Sequence, residues 1–310
     1  MKQRKPSPRT RARNKTHLLY TLLALVLGLS CHSCAEIPSR QEVVAAGASL
    51  EVLLKGLGVA VRQQADAVDR APISVPDARL PTADAASAFA ACRQFFAAGA
   101  PPIVAPRPTH RALCYDAFAI LHSGESKTAV YVAEKLNRAS VLDANETRTN
   151  KFYADARLRA AERATLVDYK GSGFDRGHLA PAGDMPTPQA MAQSFSLANM
   201  VPQAPEHNRG AWAKSVELAT RKYAARAVGD VYVITGPVFA PDIAQSPSIG
   251  AGEVHVPKYL FKLVYDESAH HAWAHWHLND NATRASRPIS YGELVQRTGI
   301  EFLPGVRLAD

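Results

Sequence analysis

The sequence is poor in several things, and each shortage excludes a class. Its 310 residues hold four cysteines, and no arrangement of Cys and His has zinc-finger spacing. The longest apolar run, Leu18 to Leu29, has twelve residues. A spanning helix needs ~20, so a permanent membrane anchor is not expected. No internal repeat is visible, which argues against a repeat array. Strand and helix patterns do not alternate regularly, which argues against a doubly wound sheet. With 47% hydrophobic and 21% charged residues, the chain is neither disordered, collagenous nor polytopic.

Negative charge is absent from the opening stretch. No acidic residue precedes Glu36, while Lys2, Arg4, Lys5, Arg9, Arg11, Arg13 and Lys15 supply seven of the 36 cations. Without those seven, 29 cations face 28 anions, so the formal charge of +8 falls to +1. The basic segment, the apolar run and the small residues ending at Ser33-Cys34-Ala35 have the order of a secretory signal peptide. Cleavage after Ala35 would start the mature chain at Glu36, in the periplasm or outside the cell. Lipidation at Cys31 is the alternative, disfavoured because Gly28 stands where such sites favour Leu. Cys92 and Cys114 remain in the body, and in an oxidising compartment an even pair reads as one disulfide. Two buried free thiols would be the reading if the chain is not exported.

Residues 36–84 have apolar positions near helical spacing and then a linker, Ala71 to Pro81, with three prolines. A helical pattern resumes over Ala85 to Phe96, and the main domain is drawn over 85–310. Within it the patterns predict strands at Cys114 to Leu121, Thr128 to Leu136, Thr165 to Tyr169, Phe174 to Ala180, Val231 to Thr235, Val254 to Tyr265 and Ala272 to Leu278. Helices are predicted over Pro188 to Ser194, His207 to Ala227 and Tyr291 to Thr298. The mixture is α+β.

The stretch Gly173 to Met185 carries the most chemistry. If Phe174 to Ala180 is extended, Arg176 and His178 share one face. A guanidinium beside an imidazole suits a phosphate, with Arg on the non-bridging oxygens and His as base toward water. Gly177 between them allows a close approach of backbone. Taken alone, a His beside an Arg is more often a surface or satisfied core residue.

Three further segments give the pattern its specificity: Arg148-Thr149-Asn150-Lys151-Phe152, Asn199 to Gln203, and Asn208 to Trp212. With Asp175-Arg176-Gly177-His178 they follow in an order that resembles the DNA/RNA non-specific endonucleases, the endonuclease G-like, His-Me finger (ββα-metal) nucleases. The resemblance covers about residues 110 to 305. It implies a mixed, largely antiparallel sheet flanked by helices, preceded here by the helical N-terminal segment. It implies cleavage of phosphodiester bonds in DNA and RNA, with 5′-phosphate products and a homodimer as an option. His178 would be the general base and Asn208 the protein ligand of one Mg²⁺, or Mn²⁺ in its place. Arg176 and Arg148 would contact phosphate, and Asn199 would support the site. A hard ion that keeps most of its waters needs few protein ligands.

One position departs from that family, in which a Glu typically follows the metal Asn by eight. Here Glu217 follows Asn208 by nine. At ~100° per residue, nine steps set the two on opposite sides of an ideal α-helix. Glu217 can reach the metal site only if Asn208 precedes the helix proper or a bulge absorbs the extra residue; otherwise it is a solvated helix charge.

The histidines of Ala269 to Leu278 invite another reading. On a strand His271, Trp273, His275 and His277 share a face, and alternating His can bind zinc or copper. A solvated polar face is the simpler account, because no carboxylate or Cys completes the set. A transition-metal binder using this strand, and a catalytically weak nucleic-acid-binding or uptake protein, are the rivals to the nuclease. Asp168, Asp175 and Asp184 read as turn and scaffold residues.

Overall fold

The computed structural model describes residues 87–309. The expected leader and the helical segment over 36–84 lie outside the described residues. The strands are β1 (His110–Cys114), β2 (Phe118–Ser123), β3 (Thr128–Leu136), β4 (Asp175–His178), β5 (Met200–Gln203), β6 (Val231–Val238), β7 (Ser248–Ile249), β8 (Val254–His255), β9 (Tyr259–Asp266), β10 (His271–Leu278) and β11 (Ile289–Ser290). The helices are α1 (Arg138–Asp143), α2 (Leu166–Tyr169), α3 (Pro188–Ser194), α4 (Pro205–His207), a π-helix (Asn208–Glu217), α5 (Leu218–Ala224) and α6 (Tyr291–Thr298). Seven strands form one antiparallel sheet in the order β1-β2-β3-β6-β9-β10-β11. The small pairs β4-β5 and β7-β8 stand apart from it.

The period of two along the strands decides what each face covers. On β3, Tyr131 and Ala133 join Ile234, Phe261 and Leu263 in a core closed by Phe89, Phe96, Leu294 and Phe302 from the two ends of the described chain. Val132 points the other way, into a core with Leu179, Phe195, Trp212 and Val216. That second layer carries β4, β5 and the π-helix. A disulfide joins Cys92 to Cys114 across 22 residues and ties the first turns to the end of β1. In the loop-entropy account such a closure is worth about 3 kcal/mol. Replacing both cysteines by Ser is therefore expected to lower the unfolding free energy by about 3 kcal/mol, read from the denaturant midpoint at unchanged slope. A change below about 0.5 kcal/mol would mean that the packing of Phe89 and Phe96 alone sets the position of this segment.

Several expectations need correction. Thr165 to Tyr169 is not a strand; Leu166–Tyr169 is one helical turn, because Asp168 Oδ2 accepts from Thr165 N and Oγ1, both at 2.8 Å, in a capping box. The predicted Val254 to Tyr265 strand is broken into β8 and β9 around Pro257, which lacks the donor that a continuous ladder requires. Of the helix predicted over Ala85 to Phe96, residues 87 and 88 are helical where the described chain begins, and the rest is turns with a short 3₁₀ helix at Arg93–Phe95. The predicted strand at Cys114 straddles the turn between β1 and β2. Among the described residues, no helix is long and apolar enough to cross a membrane.

Candidate active site

The site is built where β4 pairs with β5. Asp175 is opposite Gln203 and His178 opposite Met200. A Cβ on Gly177 would collide with the Gln203 side chain, so glycine here serves side-chain packing across the pair, not the approach of another backbone. Beyond His178 the chain is clamped by Asn199, which is fully buried. Its Oδ1 accepts from Ala180 N at 2.9 Å, and its Nδ2 donates to Ala180 O and Ser194 O, both at 2.9 Å. With both Nδ2 protons and Oδ1 engaged in backbone bonds and the side chain fully buried, Asn199 positions the loop after His178. From beneath, Lys262 on β9 donates to Leu179 O at 3.3 Å, to Thr235 Oγ1 at 2.7 Å and to Glu134 Oε1 at 3.5 Å.

Two phenylalanines carry the cations and the imidazole. The Arg176 guanidinium lies over the Phe152 ring at 4.2 Å, and that of Arg148 over Phe195 at 5.0 Å. His178 stands edge-on to Phe195 with centroids 5.0 Å apart and 5.9 Å from Phe152. The two rings meet each other at 4.9 Å. A guanidinium on an aromatic face is held in orientation while its N–H groups stay free for an anion. Phe152 and Phe195 were not singled out from the sequence as functional; their only signal was an aromatic residue inside or beside each motif.

His178 is buried, and its Nε2 has no hydrogen-bond partner. Burial, reinforced by the nearby Arg148 charge, pushes its pKa down to about 3. The imidazole is therefore unprotonated throughout the physiological range, with a lone pair available although its basicity is low. An orphaned buried nitrogen is uncommon in a folded protein and marks a place where something else can bind.

The angular relation of Asn208 and Glu217 depends on the helix type. Asn208–Glu217 is a π-helix with i→i+5 bonding. At about 4.4 residues per turn, nine steps return within roughly 20° of two full turns, so both side chains face the same way. The wider turn thus removes the angular mismatch that an α-helix would impose, with the two residues two turns apart along the axis. Asn208 Nδ2 donates to Asp175 Oδ2 at 2.9 Å, and Asp175 also pairs with Arg209 at 2.5 Å. That bond fixes the amide and leaves its carbonyl oxygen free of any hydrogen bond. Glu217 is half-buried, and burial pushes its carboxyl up to about 7, with Asp184 adding to the rise and Lys262, Arg221 and Arg148 opposing it.

The histidine strand is a correction. His275 and His277 are buried, so only the His271 end of this face of β10 is solvated. His207 Nε2 and His277 Nδ1 are 3.1 Å apart beneath Trp212, where they pack the π-helix onto the sheet. Among the described residues no group of three or more His, Cys, Asp or Glu could hold a metal ion. Asp184 pairs with Arg221 at 2.5 Å and Asp168 accepts from Gly252 N at 2.7 Å, so both are scaffold residues as expected.

Residues 103–309 match the family model for DNA/RNA non-specific endonucleases. The chain belongs to that family. The DNA/RNA non-specific endonuclease match takes in both faces of the sheet as well as the β4-β5 site. Human mitochondrial endonuclease G is 36% identical over 165 residues, covering 51% of this chain and 52% of the relative. Nuclease C1 of Cunninghamella echinulata var. echinulata is 31% identical over 210 residues, covering 63% and 81%. The chain thus spans about half the length of the endonuclease G relatives. Among solved structures, the EndoG/EndoGI complex aligns with a TM-score of 0.57 at 26% identity, over 63% of this chain and 86% of that one. The α+β, His-Me finger nuclease fold read from the sequence is the fold observed.

Proposed function

We propose that this protein is an exported, Mg²⁺-dependent, sugar-non-specific endonuclease that hydrolyses phosphodiester bonds in DNA and RNA. The observation that carries the reading is the grouping of Arg148, Arg176 and His178 on one aromatic platform, together with the shared face of Asn208 and Glu217 on the π-helix. His178 accepts the proton of the attacking water, through a ring nitrogen that is unprotonated at neutral pH and has no partner in the fold. Arg148 and Arg176 hold the non-bridging oxygens of the phosphate and balance charge as it develops. Asp175 orients Asn208 so that its amide oxygen faces the site. A hard cation that keeps most of its waters needs few protein ligands, and the free amide oxygen of Asn208 would hold it, with Glu217 two turns further along the same helix face. Bound there, Mg²⁺ would supply charge stabilisation at the phosphate and the leaving oxygen. Every nucleotide step presents phosphate, so cleavage without sequence preference is expected. Export is supported by the basic segment, twelve-residue apolar run and small-residue end of the leader.

The direct test is digestion of plasmid DNA and of RNA by the mature protein with Mg²⁺ and with EDTA. Both substrates should be cut with Mg²⁺ and neither with the chelator. No metal-dependent cleavage of either would overturn the proposal.

The pH dependence is a second test. His178 does not gain a proton until the pH is far below 6, so it cannot shape the profile between pH 5 and 8. Glu217, raised to about 7, loses its negative charge as the pH falls through that value. At a fixed, subsaturating Mg²⁺ concentration kcat/KM should therefore decline below about pH 7, and the Glu217→Gln variant should show a flat profile from pH 5 to 8. An unchanged limb in that variant would assign the titration elsewhere.

A further inference from the structure

Beside the catalytic group, between α2 and the start of β4, lies a cleft of about 310 Å³ lined by Leu166, Tyr169, Lys170, Phe174, Asp175 and Arg176. Its chemistry is mixed in a particular way. Lys170 is exposed, and among the described residues neither it nor Arg176 is paired with a carboxylate. The one acid in the lining, Asp175, is already bound to Arg209 and Asn208. The cleft is therefore open to an anion. Leu166, 45% exposed, and Phe174 give it an apolar side opposite these charges. Tyr169 is 6% exposed, and its hydroxyl is buried with no hydrogen-bond partner, a donor that folding has left unused beside the cleft.

The wall is also fixed in place. Asp168, within α2, accepts from Thr165 N and from Gly252 N, which ties the helical turn to the β7-β8 hairpin. A Cβ on Gly252 would lie 2.5 Å from Asp168 Oδ1, so this contact requires glycine. Phe174 packs against the cluster of Tyr169, Leu197 and Met200. A cleft held this way loses little entropy when it is filled.

We infer that this cleft is the subsite for the nucleotide next to the scissile phosphate, its own phosphate held by Lys170 together with Arg176 and its base laid against Phe174 and Leu166. The inference rests on the nuclease reading and deepens it. Arg176 links the two places, because it lines the cleft and lies on the same strand face as His178. An apolar and aromatic wall accepts any base, which agrees with cleavage that ignores sequence. A base already stacked in a duplex gains less from that wall than an unpaired one. The subsite therefore favours single-stranded substrate.

The experiment uses the mature protein with a 12-nucleotide single strand and its duplex. Binding is read by fluorescence anisotropy in EDTA over a series of salt concentrations, and turnover is read with Mg²⁺. Lys170→Ala should raise KM about tenfold with kcat within twofold, and should lower the salt slope of single-strand binding by about 0.7, the share of one phosphate. Leu166→Asp, at an exposed position that leaves the fold alone, should weaken single-strand binding about tenfold and duplex binding less than threefold. Phe174→Ala should act in the same direction, with its thermal midpoint measured alongside. Arg107→Ala, at an exposed pair with Glu125, is the control and should change nothing. Unchanged salt slope in Lys170→Ala, or unchanged single-strand binding in Leu166→Asp, would overturn the assignment, as would an equal loss in Arg107→Ala. Failure of the unaltered protein to cleave would instead overturn the nuclease reading, while the binding series in EDTA still reports on the cleft.

Discussion

His178→Ala is expected to lower the cleavage rate by a factor of about 10³, within the span of 10²–10⁴ that a positioned general base contributes. Binding of DNA in EDTA should stay within twofold, since the cations that hold phosphate are Arg148 and Arg176, on rings that the substitution leaves in place. The imidazole is buried against Phe152 and Phe195, so its truncation also leaves a void with a stability cost. His178→Gln, which preserves more volume, separates the two effects. It should be as inactive as the alanine variant while melting closer to the unaltered protein. If either variant retained cleavage within threefold, His178 would not be the base. If both lost binding together with turnover, its part would be to hold the site's shape. A catalytically weak nucleic-acid-binding protein predicts background cleavage in all three forms.

The second large effect is expected at Lys262→Met. Lys262 and Glu134 are each about 1% exposed and face each other on β9 and β3, on the side of the sheet that carries the site. Burial pushes the Glu134 carboxyl up to about 8, with Lys262 pulling the other way. Removing the ammonium strands that carboxyl, and takes a donor from Leu179 O and from Thr235. Breaking a buried pair from one side costs about 3–5 kcal/mol. In a domain of this size that is a fall of roughly 10 °C in melting temperature. Because well-packed apolar residues often replace a buried pair at little cost, the double variant Lys262→Met/Glu134→Leu should recover most of the loss. A single variant within about 1 kcal/mol of the parent would show that the pair contributes little. The backbone held by Lys262 follows His178 directly, so the single variant should also lose turnover by more than its folded fraction accounts for.

The legible parts of the sequence are those whose physics is local. Strand alternation over Thr128 to Leu136 and Val231 to Thr235 survives in the sheet because both faces are covered and each side chain has one place to go. The helices Pro188–Ser194 and Tyr291–Thr298 fall at the expected residues, each with its cap: Thr187 accepts from Ala190 N, and Ser290 accepts from Glu293 N. The pairing of Cys92 with Cys114 follows from a count of two in the body of the chain. Where expectation missed, a distant partner had decided. Leu166–Tyr169 coils because Asp168 caps it and reaches Gly252, 84 positions away in sequence. The histidines of β10 are buried because the π-helix lies across them, which alternation within one strand cannot report.

The sequence by itself determined the class of chemistry. Arg176 and His178 on one strand face, Arg148 and Asn208 at their distances, and the family they resemble all follow from residue identity and order. Only the tertiary structure decided how those groups become a site. Phe152 and Phe195 meet from separate segments to seat two guanidinia and an imidazole, and Asn199 and Lys262 reach His178's loop from other elements. The clearest case is the interval from Asn208 to Glu217. Counted along an α-helix it sets the two on opposite sides; in the π-helix it sets them on one face, two turns apart. The physical reason is that helix type is a choice among hydrogen-bonding registers close in local energy, and packing of Trp212 and Val216 into the core selects the register.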